Sequence, residues 1–158
     1  MVKPIFFITN KDYGWLSNFY PCFINFEGEF YPTVEHAYQA AKTLDLGLRS
    51  NIRSSSSPGI AKRRGRKIKP LREDWESVKL DTMRILLRKK FECPVLSKLL
   101  IETGDSPIYE DSNWDYFWGT GSAEATGTGL NWMGKILMEV REELLKRRII
   151  EPSISNSI

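Results

Sequence analysis

The stretch Pro32-Thr33-Val34-Glu35-His36-Ala37-Tyr38-Gln39-Ala40-Ala41-Lys42 decides how the rest of the chain is read. Proline stops the extended segment before it and Thr33 suits an N-cap, so the pattern predicts a helix over residues 34–42. At about 100° per residue, Val34, Ala37, Tyr38 and Ala41 form an apolar stripe. Glu35, Gln39 and Lys42 fall in a narrow arc beside that stripe rather than opposite it. A solvated helix usually keeps its charges on the far side. Here a carboxylate, an amide and an ammonium run along the edge of a buried face, where a pocket wall would stand. The plainer reading is an exposed row with Glu35 and Lys42 two turns apart. Geometry alone leaves both open.

Outward from this helix, short extended pieces precede it and helices follow. Lys3 to Thr9 reads as a buried strand, Asn10 to Gly14 as a turn, and Trp15 to Pro21 as a packed loop. Phe23 to Tyr31 reads as a hairpin around Glu27-Gly28, which delivers the chain to the helix. Further helices are expected over 45–54, over 59–65 behind Pro58, over 72–92, over 94–102, and from Asn131 to about Arg148. A short strand is expected at Pro107-Ile108-Tyr109. The fold class is therefore mainly α, an α-rich α+β arrangement. We expect one compact helical domain over residues 1–150, with a short N-terminal strand and a hairpin, and a flexible tail over 151–158.

With 158 residues, 41% hydrophobic and 12% aromatic, the chain can bury a real core, and wholesale disorder is excluded. A net charge of +3 is too small to argue nucleic-acid binding by itself. Cys22 and Cys93 are far apart with no CxxC pair, and His36 is the single histidine, so no metal site of the usual zinc kind is expected. No cofactor is implied. No apolar run approaches a membrane span and no signal peptide stands at the N-terminus, so a cytoplasmic protein is expected, or a nuclear one in a eukaryotic host.

Three further stretches bear on chemistry. Lys62, Arg63, Arg64, Arg66, Lys67, Lys69 and Arg72 crowd together with no acid among them. They form either a solvated basic face or an electrostatic footprint for phosphates. Gly119, Gly121, Gly127, Gly129 and Gly134 precede or open the last helix, where backbone N–H groups can meet an anion, but neither the dinucleotide nor the P-loop pattern is present. In the third, Glu110, Asp111 and Asp115 stand among Trp114, Tyr116, Phe117 and Trp118. A carboxylate against aromatic rings is a candidate acid or base.

Taken together, five stretches resemble the NADAR family, also called YbiA-like. They are Leu16 to Pro21, Pro32 to Lys42, Ala61-Lys62 to Gly65-Arg66, Trp114 to Gly119, and Gly129 to Gly134 with Leu137 to Arg141. The match runs in order over about residues 5 to 147. It departs at Trp15, where a smaller aromatic is common, and in a longer loop from Ser122 to Thr128.

The resemblance implies activity on N-glycosidic bonds. The substrate would be either ADP-ribosylated guanine in DNA or RNA, or a ribosyl-phosphate metabolite of the early riboflavin pathway. It implies Glu35 and Lys42 as the leading catalytic candidates, Asp115 and Trp118 in the site wall, and Asn18 and Phe19 in the pocket floor; we add Asp115 as a third catalytic candidate, which would position the ribose hydroxyls. His36, Gln39, Lys62, Arg66, Trp114, Gly119 and Asn131 would complete the substrate contacts. Two rivals remain beside an enzyme: a module that binds ADP-ribose without turnover, and a nucleic-acid binder that uses the basic run.

Overall fold

The computed structural model describes residues 1–9, 11–121 and 129–150. Backbone contacts gather the chain into two compact units, residues 7–90 and residues 1–6 with the chain from Phe91 onward. Among the described residues there are six α-helices and four short strands, the α-rich arrangement that the sequence pattern predicts. The expected tail over 151–158, the loop from Ser122 to Thr128 and Asn10 of the first turn lie outside the described residues. No helix among the described residues is long and apolar enough to cross a membrane.

The unit of residues 7–90 is built around the opening stretch. A short 3-10 turn, Gly14–Leu16, stands where a packed loop was expected. The hairpin follows as β2, Ile24–Phe26, and β3, Glu29–Tyr31, with Ile24 opposite Tyr31 and Phe26 opposite Glu29. Its two-residue turn needs left-handed backbone at both positions, and Glu27 (φ 50°) and Gly28 (φ 87°) supply it. Ile24, Phe26 and Tyr31 point inward, while Asn25 and Phe30 face out.

Helix α1, Val34–Ala40, begins at Thr33, whose Oγ1 accepts the His36 N–H at 3.2 Å. Every one of its seven residues is buried. Periodicity predicts one apolar stripe, but α1 packs against α2 (Leu46–Arg53), α3 (Pro58–Arg66), α4 (Trp75–Lys90) and both hairpin strands. A helix covered on that many sides has no solvated face left, so its polar residues go inside with the rest. The exposed-row reading of Glu35 and Gln39 is thereby excluded.

Capping also accounts for the starts of α2 and α3. Asp45 accepts from the Leu48 N–H and opens α2, and Ser57 accepts from the Ile60 N–H ahead of Pro58 in α3. Arg49 and Arg53 on α2 reach Glu27 and Glu29 and brace that helix against the hairpin. The expected helix over 72–92 begins only at Trp75. Arg72 is instead held by Asp74 through bonds of 2.6 and 2.9 Å, and the turn bond from Trp75 N to Arg72 O is 3.1 Å.

The other unit takes Ile5 and Phe6 of β1, which is shorter than expected, spanning Ile5–Phe7, and is paired with β4, Ile108–Glu110. The Ile5 N–H donates to Pro107 O at 2.8 Å, and the Phe6 and Tyr109 rings stack at 5.2 Å. Helix α6, Trp132–Ile150, lies on β4 and on α5, Pro94–Glu102, burying Met133, Ile136, Leu137 and Val140. Arg141 fastens it by donating to Thr103 Oγ1 and Ser106 O, both at 2.8 Å.

The Thr33 cap gives a direct test of how α1 is held. Thr33→Val keeps the shape but removes the hydroxyl, and it is expected to destabilise the protein by about 0.5–2 kcal/mol. Urea unfolding followed by tryptophan fluorescence measures it.

Candidate active site

Glu35 sits in the first turn of α1 and is 6% exposed. Its Oε1 accepts from Gln39 Nε2, one turn along, at 2.7 Å, leaving Oε2 as the oxygen not taken by Gln39. Burial pushes the Glu35 carboxyl above its usual range. Lys62, the Gln39 hydrogen bond, Lys42 and Arg66 all pull the other way without reversing the shift. Lys42, just beyond α1, is the mirror case. Burial lowers its pKa, Glu35 opposes that, and Lys62 and Arg66 add to it. Its ammonium stands 5.7 Å from the Tyr38 ring centroid.

The turn after Leu16 meets the same helix. Asn18 O accepts the Glu35 backbone N–H at 3.1 Å, and Asn18 Nδ2 donates to Met83 Sδ at 3.5 Å. Phe19 carries the Lys62 ammonium 5.8 Å from its ring centroid. Asn18, Phe19, Glu35, Gln39, Lys42, Lys62 and Arg66 are thus brought together within one unit. Asn18 Oδ1 and Gln39 Oε1 are buried with no hydrogen-bond partner. A buried acceptor without a protein partner is costly unless a ligand group or a water donates to it.

His36 is placed differently. Its Nδ1 faces Thr33 Oγ1 at 2.8 Å and its Nε2 faces Ser55 O at 3.1 Å. Because Ser55 O can only accept, Nε2 carries the proton and Nδ1 accepts from the Thr33 hydroxyl. Burial also lowers the His36 pKa, against the Ser55 bond. Both ring nitrogens are engaged within the fold, so His36 ties α1 to the serine loop.

The basic run does not act as one patch. Lys62 and Arg66 bear on Glu35, Arg64 donates to Ser55 Oγ at 3.1 Å and also reaches Asn51 O, and Arg72 pairs with Asp74. Arg66 is itself exposed, as are Arg63, Lys67 and Lys69.

Asp115, Trp114, Trp118, Gly119 and Asn131 belong to the other unit. Asp115 Oδ1 accepts from the Phe117 and Trp118 N–H groups at 3.0 and 2.7 Å. Trp114 is 90% exposed, whereas Trp118 is half-buried, edge-on to Phe117. Asn131 accepts from Glu110 N through Oδ1 and donates to Ile108 O through Nδ2, fixing the start of α6 to β4. Gly119 is packed against Ser112 and the carbonyls of Glu110 and Asp115, leaving no room for a side chain. The start of α6 is not open to an anion as the glycine pattern suggested. The Asn131, Trp132 and Met133 N–H groups donate to the carbonyls of Gly119, Phe117 and Trp118. Among the described residues no three His, Cys, Asp or Glu side chains gather as a metal site.

A model of the NADAR domain matches residues 5–145. The chain belongs to the NADAR domain family. It is 45% identical over 141 residues to the N-glycosidase YbiA of Escherichia coli K12, covering 88% of this chain and 86% of that one. An N-glycosidase of Nostoc punctiforme is 39% identical over 144 residues, covering 88% of this chain and 90% of the relative. A riboflavin biosynthesis protein of Vibrio vulnificus is 39% identical over 147 residues, covering 91% of this chain but 39% of that longer protein. The solution structure of E. coli YbiA superposes with a TM-score of 0.86 at 40% identity, covering 98% of this chain and 92% of that one.

Two features of the structure around Glu35 are not visible in the sequence. Met83 is the sulfur partner of Asn18 from 65 residues away, a contact no local pattern announces. Gly65 had a local signal, a glycine inside a helix, but its reason is tertiary: a β-carbon there would stand 2.0 Å from Gln39 Oε1 and 2.8 Å from Gln39 Cβ. Only glycine lets α3 come this close to α1.

Gly65→Ala is therefore expected to displace Gln39 from Glu35. Overpacking of this kind costs about 1–3 kcal/mol. Because the Gln39 bond lowers the Glu35 pKa, its loss should move the Glu35 carboxyl titration, followed by carbon NMR, to still higher pH.

Proposed function

We propose that this NADAR chain is an N-glycosidase that hydrolyses a ribosyl C–N bond, with ADP-ribosylated guanine in nucleic acid or nucleotides as its substrate. The observation that carries the proposal is a buried carboxyl in α1, Glu35, with raised pKa, within electrostatic reach of Lys42, an amine with lowered pKa just past the end of that helix. Those are the protonation tendencies that such a cleavage needs.

When the bond from the anomeric carbon to the base nitrogen breaks, its electron pair leaves with the base. Positive charge then builds on the ribosyl carbon. The protonated Glu35 gives its proton to the departing base. Neutral Lys42 offers its Nζ lone pair to the anomeric carbon, forming a C–N bond. The ammonium so formed passes a proton to the ring oxygen as the bond from the anomeric carbon to that oxygen breaks, and the sugar opens to a protonated imine. Water adds to that imine with Glu35, now a carboxylate, as base, and the lysine is released. In the alternative course Lys42 acts electrostatically and water attacks directly. Lys62 and Arg66 hold phosphate, and Asn18 and Phe19 form the floor. Asp115 is proposed to position the ribose hydroxyls.

A second reading is favoured by the Vibrio relative's name: a phosphorylated riboflavin-pathway intermediate of the ribosylaminouracil type. The two separate in one experiment. The purified protein is incubated with an ADP-ribosylated guanine oligonucleotide and, apart from it, with ribosylaminouracil phosphate, and released base is measured by chromatography. Release from the first supports the proposal, release from the second alone moves the substrate to the metabolite, and tight ADP-ribose binding with no release makes the chain a binding module.

Glu35→Gln is expected to lower turnover by about 10²–10⁴-fold, the usual worth of a general acid. Borohydride added during turnover should leave a reduced sugar adduct on Lys42, read by peptide mass spectrometry and absent from Lys42→Ala. A lack of adduct in the active protein would select the electrostatic role for Lys42.

The pH profile of kcat/KM should be bell-shaped, since Glu35 must hold its proton while Lys42 must have lost one. Both limbs should lie inside the interval between the ordinary values of 4.5 and 10.5.

A further inference from the structure

Lys90, the last residue of α4, is 0% exposed. Its Nζ donates to Ser17 O at 2.8 Å and stands 5.6 Å from the Tyr20 ring centroid. Ser17 O also accepts the Tyr20 N–H at 3.1 Å, closing the turn over residues 17–20. Ser17 Oγ accepts the Phe19 N–H at 3.1 Å. The next carbonyl, that of Asn18, accepts the backbone N–H of Glu35. One peptide unit thus links a buried ammonium to the backbone of the proposed general acid.

Burying an ammonium is among the costliest placements in a protein, and an apolar side chain would fill the same space without that cost. Structures keep such groups where function needs them. We propose that Lys90 is a positioning residue for Glu35, its ammonium fixing the turn 17–20 and through Asn18 O the backbone of Glu35. The inference rests on the glycosidase reading of Glu35.

The chemistry around Lys90 makes the role measurable. Burial brings its pKa down to about 7, with Cys22 pulling the other way. Among the groups facing it are the Cys22 thiol, the Tyr20 ring and the Ser17 carbonyl. A neutral amine donates a weaker hydrogen bond than an ammonium, so the grip on Ser17 O loosens above neutrality. Global stability runs the opposite way. Between about 7 and the ordinary lysine value of 10.5 the unfolded chain holds a proton that the folded one has lost, so stability from this group rises with pH.

Lys90→Met is the test, compared with the wild type at pH 6.5. We expect kcat to fall at least about tenfold with KM little changed, as for a catalytic group moved slightly out of place. The melting temperature should be no lower than that of the wild type, and amide exchange at Glu35 should be faster. Unchanged kcat, unchanged Glu35 exchange, or an activity loss that tracks a lower melting temperature would overturn the proposal. Should Lys90→Met fail to fold, the wild type decides. Its Glu35 amide protection, corrected for intrinsic exchange, should fall as pH rises through 7 while global stability does not, and flat protection overturns the role. If the wild type releases no base, the glycosidase reading fails by itself, and Glu35 exchange still decides what Lys90 holds.

Discussion

A helix with no solvated face must settle every polar group it carries, and α1 carries Thr33 at its cap and Glu35, His36 and Gln39 within. The settlement is uneven. The Thr33–His36–Ser55 chain satisfies both imidazole nitrogens and ties the helix to the loop before α3. Gln39 gives its N–H to Glu35 but leaves its own oxygen without a partner, as does Asn18. One end of the helix is thus fully satisfied and the other is not. A fold selected for stability alone would place apolar side chains at Glu35 and Gln39, because an incompletely satisfied buried network is worse than none. The deficit falls beside the proposed general acid, and the satisfied end holds the helix in place.

Much of this was legible in the sequence wherever the cause is local. Thr33 before Val34, Glu27-Gly28 between alternating residues, and Pro58 after a serine run each act within a few residues, and each produced the element expected. The position of Glu35 and Gln39 at the edge of an apolar stripe also pointed to a buried wall, although periodicity alone could not choose that over an exposed row. What decided it is the number of elements around α1, which is a tertiary quantity.

The same limit explains the misses. Lys90 follows Arg88 and Lys89 at a helix C-terminus, where the helix dipole favours solvated cations. Nothing in that row says that the third will be buried against a carbonyl 73 residues away. The basic run had the converse fault. It looks uniform in sequence, yet α3 turns Lys62 and Arg66 toward Glu35 while Arg64 braces the neighbouring helix, and Asp74, just past the run, takes Arg72. Helical rotation divides the charges among different tasks, and composition cannot show that division.

The cations around Glu35 also set a conflict that burial must resolve. In the proposed reaction the productive state pairs a protonated carboxyl with a neutral amine, the reverse of what the two groups adopt in water. Their mutual attraction favours the ion pair, so it opposes catalysis from both sides. Lys62 and Arg66 help Lys42 lose its proton but also help Glu35 lose its own. Desolvation is the one influence that moves both groups in the required direction, because it penalises whichever form is charged. It is also the largest influence on each. The complete burial of α1 is therefore more than packing: enclosing the helix on several sides narrows the gap between the two pKa values and raises the population of the productive state. Any substitution that lets water reach Glu35 should then act on turnover even where it leaves both side chains in place.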